Sequence, residues 1–253
     1  MSDPNLLGIV YDHDGTLVDN LSINYERMSH CFKVIKGIDV LPEAISTPTK
    51  YIELFDSAGN YSGNYVLFWK ALGFAEPEIE EVKKLWNHIN VSNQPRAYDG
   101  ISRVLKATSN FQRAIFSQNG SSNIENDLIS ADIYNYFIGY PIIGYQESSR
   151  PKPHHGIITD IVREWRVEGP GVVLVVGDQG VDILTARYAA PFLEEFFGIT
   201  LKAVVAGYGY PNQGIKNWGH LADYRIKSPR GIIDIIRDEF PGVYEYNEDG
   251  ILV

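Results

Sequence analysis

Leu6-Leu7-Gly8-Ile9-Val10-Tyr11 runs straight into Asp12-His13-Asp14-Gly15-Thr16-Leu17. A continuous apolar run of this length, rich in β-branched residues, fits a strand buried on both faces, as parallel sheets require. The acids beyond it fall where open α/β sheets hold ligands, outside the carboxyl ends of their strands. On extended backbone Asp12 and Asp14 share a face and can address one bound group, while Gly15 permits a tight turn away. Ordinary turn chemistry also favours Asp and Gly at such a position. The rest of the chain decides between the two.

The same arrangement recurs downstream. Arg113 to Phe116 ends in Ser117-Gln118-Asn119-Gly120, a hydroxyl at a strand end above a helix start, where free backbone N–H groups suit anions. Val172 to Val176 ends in Gly177-Asp178-Gln179-Gly180-Val181-Asp182, two acids one helical turn apart. Leu201 to Ala206 is a further strand run. Between these lie stretches with helical spacing at 122–133, 156–165 and 183–197, so strand and helix alternate and a parallel sheet with right-handed crossovers follows. On a connecting loop, Pro151 and Pro153 bracket Lys152 and restrict its backbone enough to aim the ammonium inward. Each feature alone has an ordinary explanation as a cap, a turn or a solvated lysine. In a parallel sheet, however, all the strand ends lie on one edge, so these residues converge. Hard oxygen ligands such as these acids suit Mg²⁺, and a lysine acts as a point charge for phosphate.

One interval interrupts the alternation. From about Val18 to Pro95 no strand run is evident, and amphipathic stretches fill the segment: 21–35, 43–55, 64–72 and 76–89. The expected architecture is an α/β core of residues 1–17 and 96–253, with an all-helical insert of 18–95 as a second domain. Many tyrosines fall in the insert, including Tyr25, Tyr51, Tyr61 and Tyr65; packing is their first role, and substrate contact the role of any that face the cleft. Lys50, after Thr47-Pro48-Thr49, is placed to reach over the site as a specificity residue.

The chain of 253 residues carries 32 acidic against 22 basic side chains, a net charge of −10, which argues against neutralising nucleic-acid phosphates. No apolar run approaches the roughly 18 residues of a membrane span. The lone cysteine, Cys31, excludes an internal disulfide and a Cys-x-x-Cys metal cluster. A cytoplasmic protein with neither nucleic-acid nor membrane partners is expected.

The motifs DHDGTL, the serine of FSQN, the lysine of RPKP and the acids of GDQGVD resemble the four motifs of the haloacid dehalogenase-like (HAD) hydrolases. The segment from Ala203 to Ser228 resembles the tail of the phosphoglycolate-phosphatase-like branch, and the helical insert is similar to that branch's cap domain. The resemblance implies a Rossmann-like core and a Mg²⁺-dependent phosphatase acting on a small phosphomonoester, with phosphoglycolate or a relative as first candidate. It makes Asp12 the nucleophile that forms an aspartyl-phosphate, and Asp14 the general acid and base. Asp12, the backbone carbonyl of Asp14 and Asp178 would hold the metal, with Asp182 orienting water or Lys152 from behind. Ser117, Gln118 and Lys152 would bind the phosphoryl group, Gln118 standing where the family commonly has Asn. An intact second acid separates the chain from the dehalogenases. His13 replaces a usually apolar residue, and its side chain is expected to point away from both acids as a packing residue. The stretch Tyr188 to Gly198 is longer than the family's compact connection; its aromatics either cover the core or form a homodimer contact. A phosphosugar mutase is the alternative function, and a non-catalytic phosphate-binding module the third.

Overall fold

The structure, a computed structural model, describes residues 5–57, 65–86, 88–89, 91, 93–144, 150–167, 169–210 and 215–240. Tyr61 and Asn64 lie outside these. The strands are β1 (Leu6–Tyr11), β2 (Val18–Asp19), β3 (Arg96–Ala97), β4 (Gln112–Phe116), β5 (Ile142–Ile143), β6 (Gly171–Gly177), β7 (Ile199–Ala206) and β8 (Tyr224–Ile226). Six of them form one sheet in the order β5-β4-β1-β6-β7-β8, and every pairing in it is parallel. From β1 the chain moves to β4 and β5 on one side, then crosses back to β6 on the other. The carboxyl end of β1 is therefore the topological switch point, where such sheets bind ligands.

Period-2 alternation sorts the strand side chains between two apolar layers. Ile9, Tyr11, Leu174 and Val176 face one layer, completed by Val104 and Leu105 of α5 (Ile101–Ala107), Ile124 and Leu128 of α6 (Ser121–Ser130), and Ile232 and Ile236 further on. Val10, Val173 and Val175 face the other, where Ile158 and Ile161 of a helix at Gly156–Glu164 and Ile183, Ala186 and Leu193 of one at Gly180–Phe197 pack. Burial on both faces is why these strands read as continuous apolar runs. The Gly180–Phe197 helix continues through the stretch expected to be a long connection, and ends at Gly198 with φ 67°, one residue before β7. Leu193 there is buried in the core and Phe192 lies 5.8 Å from the His155 ring, whereas Tyr188 and Phe196 are exposed.

Between β2 and β3 the chain is helical: α1 (Leu21–Cys31) continuing into a π-turn at Phe32–Lys36, α2 (Pro48–Ser57), α3 (Tyr65–Ala71) and α4 (Glu76–Trp86). These helices bury a third apolar layer of their own, centred on Phe32, Phe68, Trp69 and Phe74, which the core enters through Tyr210. The expectation of no strand from Val18 onward needs one correction. Val18–Asp19 pairs antiparallel with Arg96–Ala97 and fastens the insert's entry to its exit; two residues are too few to show a period. Among the described residues, no helix is long and apolar enough to cross a membrane.

Candidate active site

Strand register brings the separated motifs to one height. Tyr11 is level with Ile115 on one side and with Val176 on the other. Asp12, Ser117 and Asp178 therefore lie within one residue of each other beyond three adjacent strand ends. The Asp12 N–H donates to the Val176 carbonyl at 2.8 Å, so the nucleophile candidate hangs from the last rung of the ladder. Gly15 turns away with φ 78°, a left-handed conformation, and a Cβ there would run into the Asp178 carboxylate.

Lys152 arrives from its loop almost fully buried, with its ammonium 2.5 Å from Asp12 Oδ1 and 2.6 Å from Asp182 Oδ1. The same ammonium sits 3.7 Å from the centre of the Phe116 ring, a cation–π contact that fixes it from below. Asp182, one turn into its helix, also accepts the Gln179 N–H at 3.0 Å, so both its oxygens are engaged. Asp178 differs. It is buried, and neither of its carboxylate oxygens has a hydrogen-bond partner. Oxygens of Asp12, Asp178 and Asp182 lie within 4.8 Å of one another. A buried, unpartnered carboxylate is costly unless a cation meets it, so this donor set fits a hard divalent ion. With Asp182 already occupied by Lys152 and the Gln179 amide, Asp178 and the Asp12 oxygen that Lys152 does not hold are left to meet it.

Burial, reinforced by the Asp182 charge and opposed by Lys152, pushes the Asp12 carboxyl up to about 7. Burial and the same neighbouring acids raise Asp178 strongly. Asp14 goes the other way. Burial would raise it, but the charge of His13, 3.3 Å away, and the hydrogen bond from Asn20 outweigh that and hold it at about 2. His13 is raised despite its burial, because Asp14 and Asp127 face it.

That arrangement corrects the expected orientation of His13. It is fully buried, but Nδ1 lies 3.3 Å from Asp14 Oδ1 and Nε2 lies 3.8 Å from Asp127 Oδ2. The strand alternation that turns His13 from Asp12 brings it against Asp14, because the chain is already turning there. Two partners of this network have no sequence pattern to mark them. Asp127 is one polar position among several on α6. Asn20 holds the N-cap position of α1 but makes no cap; its amide instead donates to Asp14 and, at 3.4 Å, to Asp127, and its carbonyl accepts from Tyr210.

Ser117 is buried, with its Oγ accepting the Asn119 N–H at 3.0 Å. Asp12, Asp14, Ser117, Gln118, Lys152 and Asp182 all line one cavity of about 550 Å³ between the sheet edge and the helical insert. Lys50 does not join them. Its ammonium is held by the Glu43 carboxylate and carbonyl and by Ser46, beside a separate surface depression, so it does not reach over the site. A strong local partner on the same helical hairpin outcompetes the reach that its spacing suggested.

Residues 9–190 match the family model described as haloacid dehalogenase-like hydrolase. Among solved structures, the chain is similar to a predicted phosphoglycolate phosphatase from Haemophilus somnus (20% identity, 91% of this chain and 97% of that one, TM-score 0.69). It is similar also to a haloacid dehalogenase-like family hydrolase from Streptococcus pneumoniae (20% identity, 93% and 100% covered, TM-score 0.66). A third is a HAD family hydrolase from Deinococcus radiodurans with bound phosphate and sodium (16% identity, 94% and 97% covered, TM-score 0.63). At these identities the likeness is one of fold. No curated protein matches by sequence.

Proposed function

This chain belongs to the haloacid dehalogenase-like hydrolases, and on that premise we propose that it is a Mg²⁺-dependent phosphatase of small phosphomonoesters, working through an aspartyl-phosphate on Asp12. The observation that supports this most is Lys152 bridging Asp12 and Asp182, which line one cavity, with the unpartnered oxygens of Asp178 close to both acids. The helices of 18–95 act as a cap that excludes water from the bound ester. The cytoplasm is the proposed setting, consistent with the single thiol.

An Asp12 oxygen attacks phosphorus as the bond to the leaving alcohol oxygen breaks, and that oxygen takes a proton from Asp14. His13 lies 3.3 Å from Asp14 and holds its carboxyl low in the free protein. A phosphate dianion adds negative charge beside Asp14 and favours the protonated form of its carboxyl. Water then attacks the aspartyl-phosphate, returns a proton to Asp14, and leaves as part of inorganic phosphate with Asp12 restored. Ser117, with Lys152, holds the phosphoryl oxygens through both steps, and Gln118 closes the same side. Asp12, the Asp14 carbonyl and Asp178 would hold the ion, while Asp182 fixes Lys152. Mg²⁺, when bound, supplies positive charge that favours ionised Asp12 and offsets its repulsion from the phosphate dianion.

The purified chain is expected to release inorganic phosphate from members of a phosphomonoester panel with Mg²⁺ present. Excess EDTA should reduce the rate at least about 100-fold, and restored Mg²⁺ should recover it. Transfer of phosphate from a sugar 1-phosphate to the 6-position without net release would contradict hydrolysis in favour of a mutase. Tight phosphate binding without turnover would leave a binding module.

A further inference from the structure

The phosphoryl end of the cavity is polar, but the end that receives the leaving group is not. Its wall is built by the insert from Tyr51, Phe55, Tyr65, Phe68, Trp69 and Trp86. These rings are fixed against one another: Tyr51–Phe68 centroids are 5.5 Å apart, Phe55–Phe68 5.3 Å and Trp69–Trp86 6.1 Å, all near edge-to-face. Burial raises both the Tyr51 and Tyr65 hydroxyls, so the wall carries no charge near neutral pH. Asn24 adds one uncharged amide.

What the wall lacks is a partner for a second anion. The basic side chains lining the cavity are Lys152 and Lys83 among the described residues. Lys152 is committed to Asp12 and Asp182, and Lys83, though it lines the cavity, is paired with Glu80 at 2.6 Å. Arg27, on α1, whose buried Nε and one terminal nitrogen have no hydrogen-bond partner among the described residues, is not among the residues that line the cavity. The segments outside the described residues contain no lysine or arginine. A substrate carboxylate would therefore enter a cavity already lined by Asp12, Asp14 and Asp182, against an apolar wall that leaves it desolvated and unpaired. A cavity of about 550 Å³ also greatly exceeds what a two-carbon acid fills.

Resting on the phosphatase reading above, we infer that the substrate is a phosphomonoester whose alcohol carries an aromatic or heteroaromatic ring and no second anionic group. Such a ring stacks edge-on against the fixed rings and displaces water from them, while the phosphate reaches Asp12.

The test compares benzyl phosphate with phosphoglycolate, both esters of primary alcohols, so that the pocket rather than the leaving oxygen sets the difference. With Mg²⁺, kcat/KM for benzyl phosphate is expected to exceed that for phosphoglycolate by about tenfold or more, the scale of one well-packed aromatic contact. Phe55→Ala and, separately, Trp86→Ala should shrink that ratio severalfold; both positions are half-buried, and a thermal melt identifies any variant that has lost its fold. Phosphoglycolate turned over as well as, or better than, benzyl phosphate overturns the aromatic assignment and leaves the phosphatase standing. Failure of the whole panel, both esters included, instead overturns the phosphatase reading and the assignment with it.

Discussion

Asp12→Asn is expected to lower Mg²⁺-dependent phosphate release by roughly 10⁴-fold or more, the scale on which loss of a covalent nucleophile is felt. The amide has nearly the shape of the carboxylate and can accept from Lys152 through its oxygen, so the 2.5 Å contact is weakened rather than left empty. It cannot form a stable acyl phosphate. The substitution also removes one of the acids that crowd this buried site, so the fold should survive, with a melting temperature within a few degrees of the wild type. Initial-rate phosphate release, paired with a thermal melt, checks both halves. Substantial activity in a folded Asp12→Asn protein would transfer the nucleophile's role elsewhere.

Lys152→Met is expected to damage both function and stability. The lysine side chain is 2% exposed and its charge answers two buried carboxylates. Removing one member of a buried ionic group leaves its partners uncompensated, which costs about 3–5 kcal/mol. The same charge is proposed to meet the phosphoryl oxygens, so kcat/KM should fall by about 100- to 1,000-fold. Mg²⁺ should recover part of the stability, because it brings positive charge to Asp12 and Asp178, but not the rate, because it cannot replace the ammonium over Phe116. Lys152→Arg should rescue little, since a planar guanidinium does not fit a point-charge position pressed 3.7 Å from a ring. Chemical denaturation with and without Mg²⁺ gives the stability difference. An unchanged midpoint would mean that the acids do not depend on Lys152.

The sheet was readable because β1, β4, β6 and β7 are buried on both sides and so carry continuous apolar stretches. β5 and β8, two and three residues long at the sheet's edges, carry no such signal, and neither does the β2–β3 pair. The convergence of Asp12, Ser117, Lys152 and Asp178 was legible from topology: parallel strands put their carboxyl ends on one edge, and the order of motifs does the rest. What could not be read depends on side-chain direction near turns. His13 sits at an odd position between two acids, yet the chain is leaving the strand there, and the imidazole meets Asp14. Asn20 and Asp127 carry no pattern of their own; only packing shows Asn20 turned on Asp14, and Asp127 turned toward Asn20 and His13. Lys50 failed for the opposite reason, since Glu43, seven residues earlier, holds it locally. The aromatic wall was half visible in the tyrosines of the insert, but periodicity cannot say which faces of α2, α3 and α4 look toward the sheet edge.

The chemistry proposed here requires phosphorus to become bonded to the side chain of residue 12. Acid quench during steady-state turnover, reduction with borohydride and peptide mass spectrometry would locate that bond, because an acyl phosphate on aspartate is reduced to homoserine. Homoserine at position 12, formed only when Mg²⁺ and a turned-over phosphomonoester are both present, is the predicted result. Homoserine at another acid, or rapid phosphate release with Asp12 never modified, would contradict it.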